Sequence, residues 1–122
     1  GAGIWTQPAI DVELGLLFFN TANPNPPYDG SARPGANLFT NSTIALDLET
    51  GALRWHYQTI HHDLWDWDLP AQPSLVTVRR GGREIPAVAQ ISKVGFVYLL
   101  DRLTGQPLFE IEDRQQFVEV GL

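Results

Sequence analysis

Apolar residues along this chain come in short runs, each broken within a few positions by glycine, proline, asparagine or aspartate. Runs of that length, rich in β-branched and aromatic residues and bounded by turn formers, predict brief strands and disfavour long helices. Strands are expected at residues 16–20, 42–48, 53–59, 74–79, 85–92, 95–101 and 107–111. Gly81-Gly82 stands between two such runs and predicts a tight hairpin, because glycine admits the positive φ that two-residue turns need. Residues 20–41, rich in Asn, Pro and Gly, form the one long irregular stretch. Loops of that length are usually functional or disordered.

A repeat organises the pattern. Ala45-x-Asp47-x-x-Thr50-Gly51-x-x-x-Trp55 and Leu99-x-Asp101-x-x-Thr104-Gly105-x-x-x-Phe109 share one frame, each position displaced by 54 residues. The frame encodes a strand ending in an Asp-initiated turn, glycine where the left-handed conformation is required, and a second strand whose aromatic packs beside the neighbouring unit. Two copies in one register at a blade-sized period favour a β-propeller over an isolated sandwich.

Composition narrows the functions available. The 122 residues amount to one small domain, and 43% hydrophobic with 18% charged residues is enough to build a core. A formal net charge of −6 is the wrong sign for tracking phosphates, so nucleic acid is not an expected partner. The absence of cysteine removes disulfides, thiolate zinc sites and cysteine nucleophiles. The longest apolar runs, 16–19 and 94–100, fall far short of the roughly 20 residues that span a bilayer. With no initiating Met, no signal-peptide pattern and a last stretch that stops in a strand-like run, the chain reads as an internal segment of something longer.

The densest chemistry is His61-His62-Asp63-Leu64-Trp65-Asp66-Trp67-Asp68. Its carboxylates suit a hard cation, or a general base set against an apolar wall; they equally suit a polar turn that caps backbone donors while the indoles enter the core. Zinc is disfavoured, because adjacent imidazoles point apart in an extended chain and His56 is the only other histidine. Lys93, the sole lysine, either points into a cavity toward an anionic oxygen or lies in solvent on a strand edge. Trp5 is a platform for a planar ring or simple core, and Asn23 a carbonyl donor to a metal or a turn initiator.

In order along the chain, Trp5, Asn23-Pro24, Arg33-Pro-Gly, Asn41-Ser, the Asp47 to Trp55 frame, His62-Asp-Leu-Trp-Asp66 and Lys93 resemble the pyrroloquinoline quinone (PQQ)-dependent dehydrogenases over nearly all of the 122 residues. Residues 61–73 are particularly similar to the membrane-associated glucose and quinate branch, and the Asn23-Pro24 region to the alcohol branch. The resemblance implies an all-β fold: a partial propeller domain over residues 1–122, about two to three blades of an eight-bladed ring. It implies that Trp5 floors the quinone ring and that Asn23 gives its side-chain oxygen to the metal beside PQQ. Asp66 is then the general base, also near the metal, and Lys93 the cation beside the reactive quinone oxygen, where methanol dehydrogenases carry Arg. Asp68 matches an extra carboxylate found in lanthanide-dependent alcohol dehydrogenases and in glucose-type members, which leaves Ca2+ and a lanthanide both open. The implied partners are an alcohol, polyol or sugar substrate, cytochrome c or ubiquinone as external electron acceptor, and the remaining blades, which carry a metal-binding Glu and further PQQ contacts. The implied location is the periplasm, with the parent protein inner-membrane anchored in some branches. The segment alone is expected to be inactive. A non-catalytic propeller scaffold of the bacterial envelope uses the same Asp-x-x-Thr-Gly-x-x-x-Trp frame but has no reason to hold Trp5, Asn23, Asp66 and Lys93 together. A free-standing calcium-binding β-domain on Asp63, Asp66 and Asp68 would bind metal without quinone.

Overall fold

A computed structural model describes residues 3–4, 6–22, 24, 30–31, 33–59, 69, 71–93 and 95–109. Seven strands form among the described residues: β1 (Ala9–Asp11), β2 (Leu16–Asn20), β3 (Ser42–Asp47), β4 (Leu53–Gln58), β5 (Ser74–Arg80), β6 (Arg83–Ile91) and β7 (Val97–Asp101), of which β2 to β7 fall where the sequence pattern predicts strands. Within each sheet every strand pairs antiparallel with the next, giving a four-stranded sheet β1-β2-β3-β4 and a three-stranded sheet β5-β6-β7. Among the described residues there is no helix.

Three details differ from the sequence pattern. β1 was not expected; at three residues it is too short to show alternation, and it exists because the β2 edge offers it a ladder from Ala9↔Phe18 to Asp11↔Leu16. Lys93 lies in the turn after β6, exposed, and not on a strand. Of the strand expected at 107–111, the described residues show one bridge, Leu100↔Pro107; positions 110 and 111 lie outside them. The Gly81-Gly82 hairpin forms as expected, with both glycines at positive φ (58° and 76°) closing Arg80 against Arg83.

The two sheets pack face to face because alternation places their apolar sides inward. β2 buries Leu16, Phe18 and Asn20 and leaves the intervening residues half-buried. Phe18, Ala45 and Trp55 of the first sheet meet Val88, Tyr98 and Leu100 of the second in one core. The Phe18 and Trp55 rings are 5.8 Å apart, and Tyr57 lies 5.8 Å from Tyr98 across the interface.

The repeated frame builds two matching turns. Asp47 Oδ1 accepts hydrogen bonds from the Glu49 and Thr50 N–H groups, both at 3.0 Å; Asp101 Oδ1 accepts those of Leu103 (2.8 Å) and Thr104 (3.3 Å). Each threonine hydroxyl accepts the N–H two residues on, at 3.2 Å in both copies, and each glycine N–H donates to its aspartate carbonyl at 2.8 Å. The Thr50 N–H is the main reason Asp47 is held below the usual carboxylate range. Gly51 and Gly105 take φ of 74° and 75°.

The first copy then docks on the second. Trp55 donates its indole N–H to the Arg102 carbonyl at 2.9 Å, and its ring covers Gly105 so closely that a Cβ there would fall 2.5 Å from Cε3. Arg102 reinforces the seam: its guanidinium pairs with Asp11 at 2.8 Å and donates to the carbonyls of Val76 and Ala87, with both charged side chains largely buried. The Leu14 N–H, and then Arg102, hold Asp11 below its ordinary range against the opposing effect of burial.

Candidate functional site

Antiparallel pairing sorts the connections into two sets. The turns at 12–15, 48–52, 81–82 and 102–106 lie at one end of the sheets. The described residues of segments 21–41, 59–73 and 92–96, and those leading into β1, lie at the other end. The second end contrasts with the first in having long connections and buried polar side chains: Asn20, Thr21, Thr40, Asn41, Ser42, Thr43, Gln58, Thr59, Gln90 and Ser92 are all buried there. Buried polar groups persist only when hydrogen-bonded, and most of these fasten a connection to a strand end.

Gln58, at the end of β4, donates its amide to the carbonyls of Ala36 (2.8 Å), Asn37 (3.2 Å) and Thr40 (3.0 Å), which holds the 33–40 turn down. Within that turn Asn37 adopts φ 59°, a conformation asparagine tolerates, and exchanges side-chain hydrogen bonds with Arg33. The Ala22 N–H donates to the Gly3 carbonyl (2.8 Å), so the residues ahead of β1 run beside those after β2.

The segment 60–70 is fastened at both sides. Before it, Thr59 donates both its N–H (2.8 Å) and its hydroxyl (3.0 Å) to the Asn41 carbonyl. After it, the Ala71 carbonyl accepts from Asn20 Nδ2 (2.7 Å) and from Gln90 Nε2 (3.0 Å), one amide from each sheet. Gln72 reaches the Pro8 carbonyl at 2.8 Å, and Leu69 and Pro73 are fully buried on either side.

Of the residues singled out in the sequence, Trp5, Asn23, Asp66 and Asp68 lie outside the described residues, as does the rest of 60–68. The described residues that bracket them (Ile4 and Thr6, Ala22 and Pro24, Thr59 and Leu69) all belong to the polar end of the sheets. Lys93 is at that end too, exposed in the turn 92–96, which also carries Phe96, exposed and edge-on to Tyr98 at 6.2 Å. Among the described residues no three His, Cys, Asp or Glu side chains gather as a metal site. His56 is exposed on β4 and packs edge-to-face against Phe39 at 4.8 Å.

A family model for the β-propeller domain of glucose, ethanol and alcohol dehydrogenases that use PQQ matches residues 1–117. The chain belongs to the PQQ-dependent dehydrogenase β-propeller family. It is 39% identical over 112 residues to a probable quinate dehydrogenase (quinone) of Xanthomonas campestris pv. juglandis, covering 90% of this chain and 14% of that protein. It is 38% identical over 103 residues to the quinoprotein glucose dehydrogenase of Escherichia coli K12, covering 84% and 13%. Among solved structures, quinohemoprotein alcohol dehydrogenase from Comamonas testosteroni superposes with a TM-score of 0.81 at 31% identity, over 88% of this chain and 16% of that one. A europium-containing methanol dehydrogenase gives 0.83 at 30% identity, over 89% and 19%. The chain therefore spans less than one fifth of the length of these relatives, and its two sheets correspond to part of their propeller.

Sequence reasoning missed Asn20, Gln90 and Arg102, the residues that join the sheets. The signal existed for the first two: each is a polar residue at an inward position of an alternating run, Leu16-x-Phe18-x-Asn20 and Val88-x-Gln90.

Proposed function

We propose that this chain is part of a longer periplasmic PQQ-dependent dehydrogenase that oxidises a hydroxyl group of an alcohol, polyol or sugar. The observation that carries the reading is the family match over residues 1–117. It is supported by the topology: the segments bearing Asn23, Asp66, Asp68 and Lys93 connect strands at one end of the two sheets, the end from which the segment bearing Trp5 enters β1.

The donor chemistry fits the cofactor. Amide and carboxylate oxygens suit a hard cation, an ammonium suits an anionic oxygen, and an indole suits a flat conjugated ring. Thr6 Oγ1, next in sequence to Trp5, is buried with no hydrogen-bond partner among the described residues, leaving a hydroxyl able to serve a ligand. In this reading Asn23, Asp66 and Asp68 hold Ca2+ or a lanthanide, Trp5 supports the ring, and Lys93 stands beside the quinone oxygen. PQQ, when bound with its metal, supplies an electrophilic carbonyl carbon that accepts hydride. The Asp66 carboxylate takes the proton of the substrate hydroxyl, making hydride departure from the carbinol carbon favourable. The Lys93 ammonium offsets negative charge developing on oxygen, an effect strengthened where neighbouring blades exclude water. The reduced protein is then returned to its starting state by cytochrome c or ubiquinone.

The test is Asp66→Asn in the full-length protein loaded with PQQ and Ca2+ or a lanthanide, followed by dye reduction with glucose, quinate and short alcohols. Turnover should vanish while PQQ remains bound. Normal turnover in that variant removes Asp66 from the role.

A further inference from the structure

Asn20 and Gln90 form a pair of buried primary amides with no part in the reaction as described above. Asn20 is 2% exposed and Gln90 fully buried, and they come from different sheets, at the last residue of β2 and the penultimate residue of β6. Every amide hydrogen in the pair is used. Asn20 Nδ2 donates to Gln90 Oε1 (2.8 Å) and to the Ala71 carbonyl (2.7 Å), while Gln90 Nε2 donates to the same carbonyl (3.0 Å) and to that of Ile91 (2.9 Å). Thr43, paired with Asn20 in the ladder, donates its hydroxyl to Asn20 Oδ1 at 3.0 Å, which fixes which way the Asn20 amide faces.

Burying two amides between sheets costs free energy unless they are fully bonded, and an apolar pair of similar volume would fill the same space without that demand. What the amides do that an apolar pair would not is grip one backbone atom. That atom, the Ala71 carbonyl, lies five residues after Asp66 and three after Asp68. Only two residues on from Ala71, Pro73 is fully buried ahead of β5. The grip therefore fixes where the chain leaves the acidic segment, relative to β2 on one side and to β6, which leads directly into the Lys93 turn, on the other.

We infer that Asn20 and Gln90 are positioning residues that fix Ala71, where the chain leaves the segment carrying Asp66, relative to β6 and the Lys93 turn. The inference rests on the reading of Asp66 as base. Catalytic groups displaced by as little as 1 Å lose up to about 100-fold in rate without losing the ability to bind substrate. Gln90→Leu keeps the volume, strips the Ala71 carbonyl of one donor and leaves an Asn20 N–H without its acceptor.

The experiment uses the full-length protein and two readouts. Hydrogen exchange of the peptide covering residues 59–73 is followed without PQQ, and kcat, KM and the pH–rate profile are followed after loading. Gln90→Leu should speed exchange in 59–73 about tenfold, while β3 and β7 peptides keep wild-type rates. It should lower kcat about 10- to 100-fold with KM little changed, and displace the acidic limb of the profile. The length-swapped double variant Asn20→Gln with Gln90→Asn, which moves one methylene from one sheet to the other, should recover much of what each single change loses. Unchanged exchange in 59–73, or losses in the double variant that simply add, overturns the inference. If Gln90→Leu unfolds, the double-variant cycle decides alone. Faster exchange with active Asp66→Asn would refute the base assignment and leave the anchoring role standing.

Discussion

Replacing Gly105 by alanine tests the seam between the two sheets. Two costs combine there. At φ 75° a residue with a Cβ is strained by about 1–2 kcal/mol. The new Cβ would also lie 2.5, 2.7 and 3.1 Å from Cε3, Cδ2 and Cγ of Trp55. The indole has little room to retreat, since its N–H is bonded to the Arg102 carbonyl and its ring packs on Phe18. Overpacking of that kind costs a further 1–3 kcal/mol or so, for a total of about 2–5 kcal/mol. Gly15→Ala is the control, because φ is 67° there and among the described residues nothing lies within 4 Å of the added atom; only the backbone cost of about 1–2 kcal/mol applies. Urea unfolding of the full-length protein, followed by tryptophan fluorescence, should show Gly105→Ala losing clearly more than Gly15→Ala. Adding Trp55→Leu should make the Gly105→Ala penalty smaller than in the wild-type background. Equal losses at the two glycines, or full additivity with Trp55→Leu, would refute the docking argument.

Arg102→Met removes the buried partner of Asp11 and should cost about 3–5 kcal/mol in the same unfolding assay, while exposed Arg79→Met, which breaks only the surface pair with Glu84, should change stability by less than about 1 kcal/mol. Asp11 is held below its ordinary value of 3.8, so its contribution to stability is complete above that value and is lost as pH falls through it toward the lowered one. Asp11→Asn should therefore flatten the acid side of a stability-versus-pH curve below about pH 5, measured by urea midpoint. Lys93→Ala in the loaded full-length protein should lower turnover about 10²- to 10³-fold in dye reduction, and Lys93→Arg, which keeps the positive charge, should retain most of it.

The strands and turns were legible in the sequence because the forces that make them are local. Asp47 and Asp101 bond their own turns, Gly81-Gly82 satisfies a local φ requirement, and the 54-residue displacement announces two equivalent units. The contacts that join the units were less legible. The frame pointed to Trp55 as packing on a neighbour, but Arg102 occupied an unspecified position in it, and its bonds to Asp11, Val76 and Ala87 span 91, 26 and 15 residues. β1 escaped notice because three residues carry too little alternation to register, and its pairing is dictated by the neighbouring strand. The candidate site was read from residue identities and family resemblance alone. Asn20 and Gln90 looked like breaks in apolar runs, and nothing local says that their amides converge on a carbonyl 51 and 19 residues away.

The Trp55 and Gly105 contact joins the two copies of the frame through unlike surfaces, the ring of the first acting as a plug and the glycine turn of the second as its socket. A joint between unlike surfaces has direction, so units added through it propagate with one handedness and never meet head to head. Such an array leaves a vacant socket and an unused plug at its extremities unless the turn per unit brings the last round to the first. Stability in such an assembly belongs to the joints as much as to the sheets. Loss of Trp55 from this joint therefore weakens the pairing of the two sheets, while each sheet keeps its own ladder.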